Sequence, residues 1–343
     1  MAPTSAPFGR VVVSGLAHLD APVVVSSRDI DGRLAAPMER FGMQPGVLEE
    51  LAGIVERRYW EEGTQPSAVA ARAAERLLER GAVGRSEIGA LVNTSVCRDY
   101  VEPSTACIVH AKLGLSPEAV NFDVANACLG FLNGMDLVAT MIEAGQIDHG
   151  LVVDGEGSRF TVETTIDRLN DPACDRETFR DSFASLTLGS GAAAMLLSRA
   201  DLVEDGHLYR GAAYRAATEH NHLCIGQYDD MRTDTKGLLT AGLSLAKELY
   251  PEAAETFDLG DDEAHRYIVH QISQVHTTML CDLLDLDAGK MPLIYPRFGN
   301  IGPAGVPITL SKEQDAGNLS SGDRVVLLGV GSGLNAAVGE IVW

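Results

Sequence analysis

The chain predicts an α/β fold of packed layers, built from two copies of one strand–helix unit. Three observations lead there. Short apolar runs rich in β-branched residues alternate with helical stretches, as in strand–helix–strand proteins with buried sheets. The order of these elements recurs in the second half of the chain. Both halves then close on a Gly-Ser-Gly followed by small and apolar residues, GSGAAAMLL and GSGLNAAVGEIV.

In chain order, Val11–Leu16 reads as a buried strand. Ile30 to Arg58 is helical in pattern, ending in GIVERRYW. Ser67 to Gly81 is a helix rich in Ala, Arg and Glu, with its glycine just past the end. GALVNTS, residues 89–95, is a strand, and PSTACIVHAKL, residues 103–113, a helix. Val120–Val124 is the next strand, and GLVVD, residues 150–154, another. Residues 155–184 are polar with little periodicity, and read as an inserted surface cap before LTLGSGAAAMLL returns to the core.

The repeat sets the organisation. LVNTS, a helix and LGLSPEAVNFDVANAC correspond to YIVHQIS, a helix and LDLDAGKMPLIYPRFGN. Ser95 to Cys128 spans 33 residues and His270 to Asn300 spans 30. A helix and a strand follow each, LVVDGEG in one half and VVLLGVGSG in the other. The expected division is residues 1–200 for the N-terminal half, with the insertion, and 201–343 for the C-terminal half. An internal two-fold would bring the loop of Cys128 next to those of His270 and Asn300.

Composition bounds the function. A chain of 343 residues, 45% hydrophobic and 22% charged, is ordinary for a globular protein. A formal charge of −21 argues against nucleic acid and anionic membranes as main partners. The six cysteines contain no CxxC pair and, with no apolar leader in MAPTSAPFGR, read as reduced cytosolic thiols. Cys97, Cys107 and His110 lack zinc-site spacing, so no metal is expected. The sequons Asn93-Thr94-Ser95 and Asn318-Leu319-Ser320 read as chance matches. GVGSG lacks the downstream strand–helix unit and ribose-binding acid of a dinucleotide fold.

The stretch DVANACLGFLNGMDLVATMIEAG, Asp123 to Gly145, is the centre of the pattern. It reads as a strand end, a tight turn and a helix buried on all sides, capped by Gly145. Gly130 and Gly134 each cost about 1 kcal/mol in a helix interior, so another backbone or a substrate should pass close by. A thiol at the start of such a helix faces unpaired N–H groups and the positive end of the helix dipole, which lowers its pKa. Cys128 is thus either an activated nucleophile or a small core residue.

Several segments together resemble the thiolase superfamily, in its ketoacyl synthase III-like branch, and most of all the OleA family of head-to-head acyl-CoA condensing enzymes. They are TSVCRDYVEPSTA, FDVANACLGFLNGMD, LVVDGE, LTLGSGAAAM, TDT, IVHQIS, FGNIGPAGVPI, and GVGSGLN with the C-terminal VW. They run in the family's order over nearly the whole chain. The resemblance implies a five-layered thiolase-like α/β/α/β/α fold of two pseudo-repeated halves, assembled as a homodimer.

It also implies roles. Cys128, His270 and Asn300 match the catalytic trio, with the thiol taking an acyl group from a long-chain acyl-CoA. The backbone N–H groups of Cys128 and Ser332 would form one oxyanion hole, and the side chains of His270 and Asn300 a second donor pair. Glu102, in DYVEPSTA, matches the general base, which the family supplies across the dimer interface. Read alone, Glu102 could equally cap a Pro-initiated helix, and Asn300 could be a turn residue. Asp99 is a nearby carboxylate that reads as a loop residue. Arg57 and Arg58 resemble a region where related synthases meet the phosphates of coenzyme A, or are solvated helix charges. Met43, Val109, Leu223 and Met279 are candidates for acyl-channel walls or core. Coenzyme A enters only as part of the substrate and leaving group, and no other cofactor is implied.

The function implied is a non-decarboxylative Claisen condensation of two fatty acyl-CoAs to a 2-alkyl-3-keto acid, leading to long-chain olefins or β-lactones. The alternatives are a ketoacyl synthase III using malonyl-acyl carrier protein, a hydroxymethylglutaryl-CoA synthase, and a non-catalytic partner in a heterodimer.

Overall fold

The computed structural model describes residues 7–81, 83–260 and 263–343. Of the N-terminal stretch read for a leader, residues 1–6 lie outside them. The first half opens with β1 (Val11–Asp20), whose inward Val11 and Val13 meet the central core. Next come β2 (Val23–Ser26), α1 (Ser27–Arg33), α2 (Ala35–Arg40), α3 (Val47–Ala52) and β3 (Glu56–Tyr59). The long helix expected over residues 30–58 is therefore three short helices and a strand. Gly42, Gly46 and Gly53 take positive φ between them, and ERRY alternates its burial as a strand does.

Then follow α4 (Pro66–Leu78), β4 (Ile88–Asn93), α5 (Thr105–Leu113), β5 (Val120–Asp123), α6 (Gly130–Glu143) and β6 (His149–Glu156). The polar stretch after β6 is not featureless: α7 (Arg159–Asn170) and α8 (Arg176–Ser182) bury Val162, Ile166, Leu169 and Phe179 against Ile30, Leu34 and Leu48. It begins after Glu156, because β6 stays buried along its whole length. β7 (Gly191–Arg199) completes the half.

The second half repeats the scheme with β8 (His207–Ala216), the hairpin β9 (Cys224–Gly226) and β10 (Met231–Thr233), α9 (Thr235–Phe257), β11 (Arg266–Val269), α10 (Gln274–Leu284), α11 (Tyr295–Phe298), α12 (Gly305–Asp315), β12 (Arg324–Gly331) and β13 (Asn335–Val342). The main sheet has the order β11-β12-β13-β8-β1-β7-β6-β4-β5. From its middle outward, β1-β7-β6-β4 is mirrored by β8-β13-β12-β11, and the half-sheets join through Val12↔Leu208 and Val13↔His207. Among the described residues β5 has no counterpart in the second half, where MPLIYP carries Pro292 and Pro296 in place of ladder N–H donors.

Three apolar clusters define five layers. Helices α4 and α5 cover the outer face of the first half-sheet, with Val69, Ala73 and Val109 against Leu151 and Val153. Helices α6 and α12 fill the middle, where Phe131, Met135, Ile308 and Leu310 meet Val152 and Met195 from one half and Val325 and Leu327 from the other. Helices α9 and α10 cover the outer face of the second half-sheet. The fold is the thiolase-like α/β/α/β/α arrangement. Among the described residues, no helix is long and apolar enough to cross a membrane.

Candidate active site

Cys128 sits at the end of the middle layer. Its turn, Ala127–Leu129, is a tight 3-10 turn ahead of α6 rather than the first turn of the helix. Ala127 has φ 45°, a left-handed conformation uncommon for a residue with a Cβ. Gly130 and Gly134 do meet a neighbour: a Cβ on Gly130 would fall 2.6 Å from the Thr94 carbonyl oxygen, and one on Gly134 would fall 2.7 Å from the Thr94 methyl. α6 is buried except for a strip including Leu137, so the all-round burial expected of it is nearly complete.

The expectation of a lowered thiol pKa fails. Burial pushes the Cys128 thiol up to about 12, with Cys224 and Glu156 adding to it. Desolvation outweighs the backbone N–H of Cys128 itself, which acts in the other direction.

The second half reaches this turn through glycines. A Cβ on Gly331 would stand 3.2 Å from the Leu129 nitrogen and 3.3 Å from the Asn126 carbonyl oxygen, so β12 ends against the Cys128 turn. Ser332 is the next residue. Asn335, after this bend, donates from Nδ2 to Asn126 Oδ1 at 3.2 Å, and Asn126 Nδ2 donates to Asn133 Oδ1 at 2.7 Å.

His270 follows β11, is 2% exposed, and has both ring nitrogens without a hydrogen-bond partner among the described residues. Burial first, and His276 second, lower its pKa to about 3. It is a neutral imidazole, able to donate one N–H to a carbonyl oxygen. Its Nδ1 lies 3.7 Å from where a Cβ of Gly305 would be. Asn300 accepts the Gly302 N–H on Oδ1 at 2.9 Å, which leaves Nδ2 as its free donor. The Asn300 backbone is pinned by Asn300 N–H to the Thr187 oxygen at 2.9 Å and Gly189 N–H to the Asn300 oxygen at 2.8 Å. That crossing demands Gly189, where a Cβ would fall 1.8 Å from the Phe298 oxygen.

The turn Gly302–Ala304 packs on the Cys128 turn, so the geometry gathers the neighbourhoods of Cys128, Ser332, His270 and Asn300. Glu102 stands apart. It is exposed on the loop between β4 and α5, and no described residue pairs with it. The N-cap role it could have had belongs to Ser104, whose oxygen accepts the Cys107 N–H. Asp99 accepts the Ser67 N–H and hydroxyl at 2.8 and 2.5 Å, a loop anchor as expected.

Arg57 is a correction. It is fully buried, donating to Ser27 Oγ at 3.0 Å and the Leu186 oxygen at 3.1 Å, with no face on which a phosphate could dock. Its strand packs under the cap, which the helical reading hid. Arg58 is partly exposed, 4.9 Å from the Phe298 ring and paired with Glu56 at 3.8 Å. Val109 is core of the outer layer, Met43 packs on the cap cluster, Leu223 is buried, and Met279 is on the surface.

Sequence reasoning assigned no role to Asp154 and Glu156, both buried at the end of β6. Thr94 Oγ1 donates to Asp154 at 2.6 Å, and Glu156 takes the Val96 N–H at 2.6 Å. Burial pushes both carboxyls up. The available signal was two carboxylates closing an otherwise apolar strand. No group of His, Cys, Asp and Glu among the described residues could hold a metal ion.

The profile of 3-oxoacyl-[acyl-carrier-protein] synthase III matches residues 122–210, and that of its C-terminal part matches residues 255–343. The chain is 46% identical to the acyl-CoA:acyl-CoA alkyltransferase of Xanthomonas campestris, over 98% of this chain and 99% of that one. It is 37% identical to the enzyme of the same name from Shewanella oneidensis, again over 98% and 99%. A crystal structure of X. campestris OleA with cerulenin bound superimposes with a TM-score of 0.97 at 45% identity, covering 99% of this chain and all of that one. Another, a cysteine-to-serine variant with lauric acid and lauroyl-CoA bound, gives 0.96 at 46%, covering 98% and 100%. Other solved variants of that protein replace one glutamate, one cysteine or one histidine. Nearly half identical to that enzyme over almost the whole of both chains, and superimposing on its structures, this chain belongs to the OleA family of acyl-CoA condensing enzymes, in the ketoacyl synthase III-like branch of the thiolase superfamily.

Proposed function

We propose that the protein joins two long-chain acyl-CoAs head to head without decarboxylation. Cys128 attacks the first thioester, forming an acyl-enzyme and releasing coenzyme A as its thiol. The Cys128 and Ser332 N–H groups hold the tetrahedral oxyanion. The second acyl-CoA places its carbonyl oxygen between His270 and Asn300 Nδ2. Glu102 of the neighbouring subunit removes an α-proton, and negative charge passes to that oxygen as an enolate. The carbanion attacks the acyl-enzyme carbonyl, the Cys128 thiolate leaves, and water hydrolyses the remaining thioester to give a 2-alkyl-3-keto acid and coenzyme A.

The carrying observation is Glu102, a carboxylate on an exposed loop with no partner among the described residues. A decarboxylating synthase makes its carbanion by losing CO2 and needs no such base. Supporting it, the glutamate, cysteine and histidine replaced in the X. campestris variants are spaced by 26 and 142 residues, as are Glu102, Cys128 and His270. In the same reading the chain divides into halves near residue 200 and works as a homodimer in the cytoplasm, its product feeding olefin or β-lactone synthesis. The test is incubation of purified protein with one acyl-CoA and no malonyl donor. The reading expects the ketone formed when the keto acid loses CO2, and product only with malonyl-acyl carrier protein would refute it.

A further inference from the structure

Three carboxylates tie down the loop that carries Glu102. At its root, Glu156 accepts the Val96 N–H on Oε1 at 2.6 Å and the Cys97 N–H on Oε2 at 3.3 Å. In its middle, Asp99 is bound to the N–H and hydroxyl of Ser67, in the first turn of α4. At its far end, Asp123 accepts the Thr105 N–H at 3.0 Å and the Ala106 N–H at 2.8 Å. Between the last two anchors the chain runs out into solvent, with Tyr100 56% and Val101 90% exposed beside Glu102.

Glu156 differs from the other two anchors, because it also borders the chemistry of its own subunit. It is 5% exposed, and its carboxyl carbon lies 3.7 Å from where a Cβ of Gly302 would be. The Gly302 N–H is the group that orients Asn300. One carboxylate thus spans the wall of one site and the root of the arm that holds the base.

We propose that Glu156 is a positioning residue for Glu102, fixing the Val96–Cys97 amides so that the loop presents its carboxylate to the partner subunit as a rigid arm. This rests on the reading that Glu102 serves the partner's site. Glu156 takes one backbone N–H on each oxygen, and breaking either bond would leave a buried polar group unsatisfied, so the anchor is stiff. Proton abstraction is sensitive to such placement, a misplacement of about 1 Å costing roughly 100-fold.

Mixed dimers test this. One subunit carries Glu102→Ala with Cys128 intact, and the other Cys128→Ala with Glu102 intact, so a single complete site remains. Glu156→Gln is then added to one subunit or the other, and CoA release on acylation is measured separately from ketone formation. On the subunit donating Glu102, the variant should lower kcat for condensation about 10- to 100-fold while acylation of the partner's cysteine keeps its rate. On the subunit bearing the nucleophile, the loss should be at least about tenfold smaller. Asp99→Asn on the donating subunit should act in the same direction, which keeps the test open if Glu156→Gln folds poorly. A loss that follows the nucleophile-bearing subunit, or none on the donating one, would overturn the proposal alone. An inactive parental mixed dimer would overturn the reading of Glu102 and the proposal with it.

Discussion

Asn335 donates to Asn126 at 3.2 Å, a hydrogen bond across 209 residues of sequence that joins the turn of Cys128 to the bend of Ser332. Neither asparagine is at the reacting atoms. By tying these two segments, the bond is expected to help set how far apart the two N–H groups of the proposed oxyanion hole stand.

Asn335→Ala leaves Asn126 Oδ1 without this donor in a part-buried site, costing about 1–2 kcal/mol of stability. It should also lower the acylation rate about tenfold or more, because an oxyanion donor is displaced. Thermal unfolding and stopped-flow CoA release measure the two effects. An unchanged acylation rate would separate this bridge from catalysis.

The raised pKa of the Cys128 thiol gives a pH prediction. With its pKa raised to about 12, Cys128 is protonated throughout the neutral range, and its thiolate fraction rises about tenfold per pH unit. Alkylation of Cys128 by iodoacetamide, counted by peptide mass spectrometry against Cys128→Ala, should climb steadily from pH 6 to 9. A plateau near pH 7 would show a thiol activated as the local helix argument expects.

Arg57→Ala separates a structural arginine from a phosphate contact. It removes both hydrogen bonds and empties a buried site, so stability should fall by about 3 kcal/mol. KM for acyl-CoA should hold in the folded protein. A raised KM with unchanged melting temperature would restore the phosphate-binding role.

Much of this was legible in the sequence, and the failures share one cause. The alternation of strands and helices, the internal repeat and the glycines of α6 are local patterns, and each appears in the fold. What was missed depends on distant partners. Glu156 looks like the end of a strand until Val96 and Cys97, about 60 residues away, supply its N–H groups. Arg57 reads as a solvated charge until the cap closes over it. The thiol of Cys128 was judged from its own turn, whereas its pKa is set by the layers packed around it. Glu102 is the reverse case: no described residue pairs with its carboxylate, and only the motif that contains it points to a role.

Intact-mass analysis of the Glu102→Ala variant with one long-chain acyl-CoA tests the central claim most directly, since that claim divides the reaction into acylation by Cys128 and proton removal by Glu102. A single acyl adduct on Cys128 that persists, with coenzyme A released once and no ketone formed, is the predicted result. Ketone at the wild-type rate, or no adduct at all, would contradict it.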